Sequence, residues 1–214
     1  MSGIRVATMD DVFIKLQLTT VYGKLEGDPS APLVLGLHGW SQRNGWHTWK
    51  PLMEPLAEAG YCVVSVDMPG WGESPPMDSL PLSGGRAVSV VMSILDGLQK
   101  EQAVLMGKSW GGGVAVKAAL ANPTRIAKLI LTAPALRNHE QLRELRQPVL
   151  LAWAEDDPVI PIATAGEFEE RVTDLTFVSY TEGGHSAAQK NAEDFAPRAI
   201  TFLNKAQRMQ SNLE

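Results

Sequence analysis

Apolar runs of five to ten residues alternate with amphipathic stretches along almost the whole chain. "VFIKLQLTTVYGKL" (12–25) alternates apolar and polar positions, as antiparallel strands do when one face is covered. "PLVLGLHG" (32–39) and "CVVSVDMPG" (62–70) are continuous apolar runs ending in glycine, the pattern of strands buried on both faces. "QAVLMGKS" (102–109), "IAKLILTAPA" (126–135), "QPVLLAWAED" (147–156) and "LTFVSYTEGG" (175–184) extend the strand series.

Helical stretches fall between these strands. They are expected at 48–60, closed by Gly60, at 84–100, at 110–122 ahead of Pro123, at 163–172 and at 190–208. Ala87, Val91, Ile94, Leu95 and Leu98 share one helical face, and so do Phe195, Ala199, Phe202, Leu203 and Ala206. Regular strand–helix alternation predicts an α/β fold: a doubly wound, mostly parallel sheet with helices on both faces, as one domain over 1–214. Ligands of such sheets bind beyond the carboxyl ends of the strands, so chemistry is sought just after each strand.

Composition narrows the class. The 214 residues are 44% hydrophobic and 20% charged, with a formal net charge of −5. The 19 basic residues are scattered, which argues against a nucleic-acid or anionic-membrane surface. Cys62 stands alone in an apolar run and reads as a small buried strand residue. The opening "MSGIRVATMDDVF" lacks a basic segment followed by an apolar core, and no apolar run approaches the ~18 residues of a membrane helix. The expected compartment is the cytoplasm, with no membrane span. No His, Cys and acid cluster has metal-ligand spacing, and no metal or organic cofactor is expected.

The strand ends carry a constellation. His38-Gly39-Trp40 follows the first buried strand, "DMPGWGES" (67–74) the second, Ser109 the third, "EDDPVIP" (155–161) a later one, and "GGHS" (183–186) the last. A serine hydroxyl needs a base to take its proton as it attacks, histidine does this near neutral pH, and a carboxylate holds the imidazole tautomer. Ser109, an acid among Glu155, Asp156 and Asp157, and His185 occur in that chain order. "GKSWG" fits the G-x-S-x-G pattern of a strained strand-to-helix turn that presents its serine. The Trp110 nitrogen then lies at a helix N-terminus, where a developing oxyanion is favoured, and Trp40 is placed to supply a second donor.

With "HGW", "DMPGWGES", "GKSWGG", "DDPVIP" and "GGH" in this order over 38–185, the chain resembles the α/β-hydrolase superfamily of serine hydrolases. The resemblance implies Ser109 as nucleophile, His185 as base, Asp157 as the acid four residues before Pro161, and an oxyanion hole from the backbone of Trp40 and Trp110. It also implies a structural role for His38 in the oxyanion loop. Asp67 reads as a loop anchor, and His47 and His139 as solvent-facing. Lys108 reads as a neutral departure whose side chain points away from the serine.

Trp49 and Trp153 are expected in the core, while Trp40, Trp71 and Trp110 are candidates to line the site and bind substrate. Only "LRNHEQLRELRQ" (136–147), one short helix, stands where many relatives insert a lid. The expected activity is hydrolysis of a small-molecule carboxylic ester or thioester through an acyl-enzyme. Acyl transfer or perhydrolysis on the same triad is one alternative, and a ligand receptor or interaction protein on the same fold is another.

Overall fold

The alternating segment near the start forms a hairpin. β1 (Asp10–Lys15) pairs antiparallel with β2 (Thr20–Glu26), in register from Asp10↔Leu25 to Lys15↔Thr20. This computed structural model describes residues 9–205. The apolar runs become β3 (Leu33–Leu37), β4 (Cys62–Val66), β5 (Ala103–Lys108), β6 (Ile126–Thr132), β7 (Val149–Ala154) and β8 (Leu175–Tyr180). They join one eight-stranded sheet in the order β1-β2-β4-β3-β5-β6-β7-β8, parallel from β4 to β8 and antiparallel at β1–β2 and β2–β4.

The continuous apolar runs arise because both faces of these strands are covered. Leu33, Leu35, Leu37, Leu105, Leu129, Leu131 and Trp153 belong to one core layer, with α2 (Gly84–Gly97), α3 (Trp110–Ala121) and α4 (Ala165–Arg171). Val34, Val104, Met106, Ile130 and Leu150 belong to the other, with α1 (Lys50–Glu58), α5 (Ala187–Lys190) and α6 (Ala192–Asn204). Trp49 and Trp153 are fully buried, and each indole N–H reaches a carbonyl, Leu37 O at 3.0 Å and Ile160 O at 2.9 Å.

Several expected segments differ in detail. The helix expected from 190 begins at Ala192 instead: Asn191 leaves the helical region (φ −107°, ψ 33°) and separates α6 from α5, which ends at Lys190. Phe195, Ala199, Phe202 and Leu203 are buried as one face, and Ala206 lies outside the described residues. The C-terminus of α6 is capped from the sheet: Lys128 Nζ on β6 donates to the carbonyls of Phe202, Leu203 and Lys205 at 2.9, 2.8 and 2.7 Å. Between β6 and β7 the helix is shorter than expected, a five-residue 3-10 helix, Glu140–Glu144, with no lid among the described residues. No helix of the described residues is long and apolar enough to cross a membrane.

The site is positioned by a change of direction in the winding. From β3 the chain steps to β4 on one side, then returns past β3 to β5, and proceeds outward through β6, β7 and β8. The loops after β3 and β5 therefore leave adjacent strands in opposite directions and open a crevice between them. Their bases stay close: a Cβ built on Gly39 would lie 3.6 Å from the Ser109 Cβ.

One buried carboxylate gives the fold a pH signature. Glu26 on β2 is 3% exposed and its Oε2 has no hydrogen-bond partner among the described residues; burial, then Glu54 and Glu58, push its pKa up. The folded state thus holds a proton more tightly than the unfolded chain. This contribution is intact below the ordinary carboxylate pKa and is lost as pH rises through the raised one. Glu26→Gln is expected to stabilise the protein by roughly 1 kcal/mol at pH 8, about 2–4 °C in Tm, with the gain vanishing toward pH 4; thermal melts of both proteins across this range check it.

Candidate active site

The corner between β5 and α3 holds Ser109 in a conformation non-glycine residues seldom adopt, φ 52° and ψ −117°. Such strain costs about 1–3 kcal/mol and persists only where the surroundings over-determine it. Here three backbone hydrogen bonds do so. Ser109 N–H donates to Thr132 O at 3.0 Å, and Ser109 O accepts from Gly113 N–H at 3.0 Å and Ala135 N–H at 2.8 Å. The helix also starts hard against the sheet. A Cβ at Gly111 would meet the carbonyl oxygens of Leu37 and His38, 2.6 Å from the former, so only glycine fits there. Among the described residues no acceptor meets the N–H of Trp110, at the first position of α3, or that of Trp40.

The structure brings His185 and Asp157 together. Asp157 Oδ2 lies 2.8 Å from His185 Nδ1, and its side chain has no exposed surface. Its Oδ1 accepts from the N–H groups of Val159 (2.8 Å) and Ile160 (3.0 Å), so the carboxylate is oriented by its own turn. A carboxylate at Nδ1 places the imidazole proton there and leaves the Nε2 lone pair available. Nε2 is buried and meets no hydrogen-bond partner among the described residues.

Asp156 does something different. Its Oδ1 accepts from Gly184 N–H at 2.6 Å, tying the loop that carries His185 to the end of β7. Gly184 has φ 54°, which suits glycine at this bend. Of the adjacent aspartates, Asp157 therefore holds the histidine and Asp156 its loop. Sequence reasoning weighed them as rivals for one task; the doubled acid before a proline turn was the available signal.

The loops after β3 and β4 are joined through His38 and Asp67. His38 is fully buried; its Nδ1 donates to Gly39 O at 2.7 Å and its Nε2 accepts from Met68 N–H at 3.0 Å. Burial pulls its pKa down, which keeps the ring neutral and suits these two roles. Asp67, 2% exposed, accepts from the N–H groups of Trp46 (2.7 Å) and Glu73 (3.0 Å).

Trp40, Trp71 and Trp110 form one aromatic cluster, with ring centroids 5.1 Å (Trp40–Trp71), 5.3 Å (Trp40–Trp110) and 5.2 Å (Trp71–Trp110) apart. Their placement corrects the expectation of three lining indoles. Trp71 is only 4% exposed, stacked on Trp110, so it supports the wall and presents little surface of its own. Trp40 is 52% exposed and Trp110 half-buried, and these two present the aromatic surface.

The remaining polar candidates have surroundings of their own. His47 is exposed, with Nε2 3.1 Å from Arg43 O. His139 was expected in solvent but is half-buried, its ring edge-on to Phe168 and Nδ1 4.0 Å from Glu167. The 3-10 turn packs its start against α4, and this tertiary contact is what a local reading misses. Lys108 is half-buried; burial pushes its ammonium pKa down, with Asp157 opposing and Lys190 adding to that shift.

Comparison with known proteins bears on the family and the fold. Residues 32–146 match a family model described as alpha/beta hydrolase fold. A 2-hydroxy-6-oxononadienedioate/2-hydroxy-6-oxononatrienedioate hydrolase of Cupriavidus pinatubonensis is 41% identical over 102 residues, 47% of this chain and 35% of that protein. Matches of this kind thus span about a third of the relative's length. Mouse protein ABHD14A is 27% identical over 176 residues, 80% of this chain and 70% of its own. Among solved structures, a CIB-like hydrolase from Thermoplasma acidophilum superposes with a TM-score of 0.85 at 24% identity, covering 92% of this chain and 98% of that one. At these identities the structural likeness shows the shared fold.

The close seat of α3 gives a direct test of the corner. Gly111→Ala is expected to destabilise the protein by about 1–3 kcal/mol, because its methyl group would press on the Leu37 and His38 carbonyls. Urea unfolding measures this, and Gly166→Ala, where a Cβ meets nothing within 4 Å, serves as the control.

Proposed function

The chain belongs to the α/β-hydrolase fold family, and from that premise we propose that it is a serine hydrolase cleaving a carboxylic ester or thioester. The observation that carries this reading is the Asp157–His185 bond, which leaves a buried, unpartnered Nε2 beyond the strand ends where the strained Ser109 corner also lies. In this reading Ser109 Oγ attacks the substrate carbonyl while its proton passes to His185 Nε2. The carbonyl electrons move onto oxygen, and the N–H groups of Trp40 and Trp110 receive the oxyanion. Collapse expels the alkoxide or thiolate, which takes the proton from His185, and an acyl-Ser109 ester remains. Water then gives a proton to His185 and attacks the acyl carbon. Ser109 leaves with that proton, and a carboxylic acid is released. Asp157 keeps the imidazole in the productive tautomer and stabilises the imidazolium. No cofactor enters these steps.

With no lid among the described residues, the mouth is bordered by loops, and Trp40 and Trp110 offer an aromatic wall to the acyl or alcohol group. A small-molecule ester, or an acyl group carried on something bulky, fits such an open site.

The Cupriavidus relative favours a second reading. The substrate in its name is a carbon-chain diacid with neither ester nor amide, so its hydrolysis breaks a carbon–carbon bond. The same serine, histidine and aspartate would serve that reaction. Parallel assays with short-chain p-nitrophenyl esters and a 2-hydroxy-6-oxodienoate separate the two readings. Partition of the acyl group to added alcohol or peroxide would reveal acyl transfer, and a single stoichiometric burst would reveal a receptor-like role.

A fluorophosphonate probe is expected to label the native protein, and Ser109→Ala to abolish both labelling and ester turnover; labelling that survives this change overturns the assignment. In steady-state kinetics, Asp157→Asn is expected to lower kcat about 10⁴-fold by stabilising the wrong tautomer. Asp156→Asn, which affects only a loop anchor, is expected to lower it roughly tenfold or less. The reverse order would identify Asp156 as the partner of His185.

A further inference from the structure

The residue assigned to one oxyanion donor sits in a loop that is locked on both sides of its Cα. The peptide between Gly39 and Trp40 presents Gly39 C=O and Trp40 N–H in opposite directions, as a planar trans peptide must. His38 Nδ1 holds that carbonyl at 2.7 Å and so aims the Trp40 N–H. The next peptide is held by another residue: the Trp71 indole Nε1–H donates to Trp40 O at 3.0 Å. With a hydrogen bond on each flanking peptide, both planes beside the Trp40 Cα are restrained.

Trp71 is suited to this task by its own support. Its N–H donates to Met68 O at 2.9 Å, and its O accepts from Ser74 N–H at 2.9 Å. The turn that contains it is closed by Ser74 Oγ on Asp67 O (2.6 Å) and by Glu73 N–H on Asp67 Oδ2 (3.0 Å). The same indole stacks on Trp110 with an interplanar angle of 23°. One rigid side chain thus touches both residues whose amides are assigned to the oxyanion, by a hydrogen bond on one and a ring face on the other.

We infer that Trp71 is a positioning residue that sets the spacing of the two oxyanion donors through its indole N–H to Trp40 O. This rests on the serine-hydrolase reading of the site. Trp71 reaches no reacting atom and acts through Trp40 and Trp110. A donor aimed where charge develops contributes mainly in the transition state, so loosening it should lower kcat and leave KM nearly unchanged. A merely structural role would instead reduce the fraction of competent protein.

The test uses p-nitrophenyl acetate turnover, with active sites counted by fluorophosphonate titration so that misfolded protein drops out. Trp71→Phe keeps an aromatic ring and deletes the donor. Should its smaller ring impair folding, Trp71 replaced by 3-benzothienylalanine keeps the bicyclic outline and exchanges the N–H for sulfur. Misplacing a group of this kind can lower rates up to about 100-fold. The expected result is a fall in kcat per titrated site of fivefold or more in both variants, with KM within threefold of the native value. A fall of less than fivefold per site, or a loss carried by KM, overturns the inference while the serine assignment stands. Turnover by the Ser109→Ala protein would remove the serine assignment, and the positioning role with it.

Discussion

The backward turn at Ser109 governs the geometry of everything around it. A non-glycine residue at φ 52° is stable only if its backbone is gripped, and the grip comes from Thr132 at the end of β6, Ala135 just beyond it and Gly113 in α3. α3 must therefore begin close to β3, β5 and β6 together. The small residues at its start follow from that, since at Gly111 even a methyl group would collide with the end of β3. The same approach leaves the Trp110 amide with no acceptor among the described residues at the helix N-terminus, beside the loop that carries Trp40.

Around this corner the polar groups divide between orienting and supporting tasks, and burial separates them. Asp157 is wholly enclosed and satisfied by two backbone N–H groups and one imidazole. Asp156, next in the chain, is exposed and holds Gly184. Asp67 is enclosed like Asp157, yet it gathers only backbone N–H groups from two loops and so organises the rim. His38 is likewise saturated by Gly39 and Met68, whereas Nε2 of His185 meets no hydrogen-bond partner among the described residues. The two imidazoles thus differ in how much of their hydrogen-bonding capacity the described residues use.

The fold was legible because its signal is redundant. Seven strand segments and most helices announce themselves through periodicity, and strands covered on both faces can only read as unbroken apolar runs. The residues after each strand were equally legible, because a parallel sheet sends all those ends to one side. Boundaries were less so: the break at Asn191 and the 3-10 turn at Glu140–Glu144 depend on local dihedrals that periodicity does not encode. The environments of His139 and Trp71 were hidden for another reason. His139 is enclosed by Phe168 and Trp71 by Trp40 and Trp110, neighbours distant in the chain.

By itself the sequence determined the layered α/β architecture and the types and order of the groups at the strand ends. Hydrophobic period and chain order are one-dimensional properties, and they constrain topology directly. Only the tertiary structure decided which of two adjacent aspartates meets His185, which tryptophan offers its face and which its N–H, and how tightly α3 seats against β3. Those outcomes depend on directions and distances of about an ångström between segments far apart in the chain. Side-chain burial and hydrogen-bond geometry set them, and no run of residue types records either.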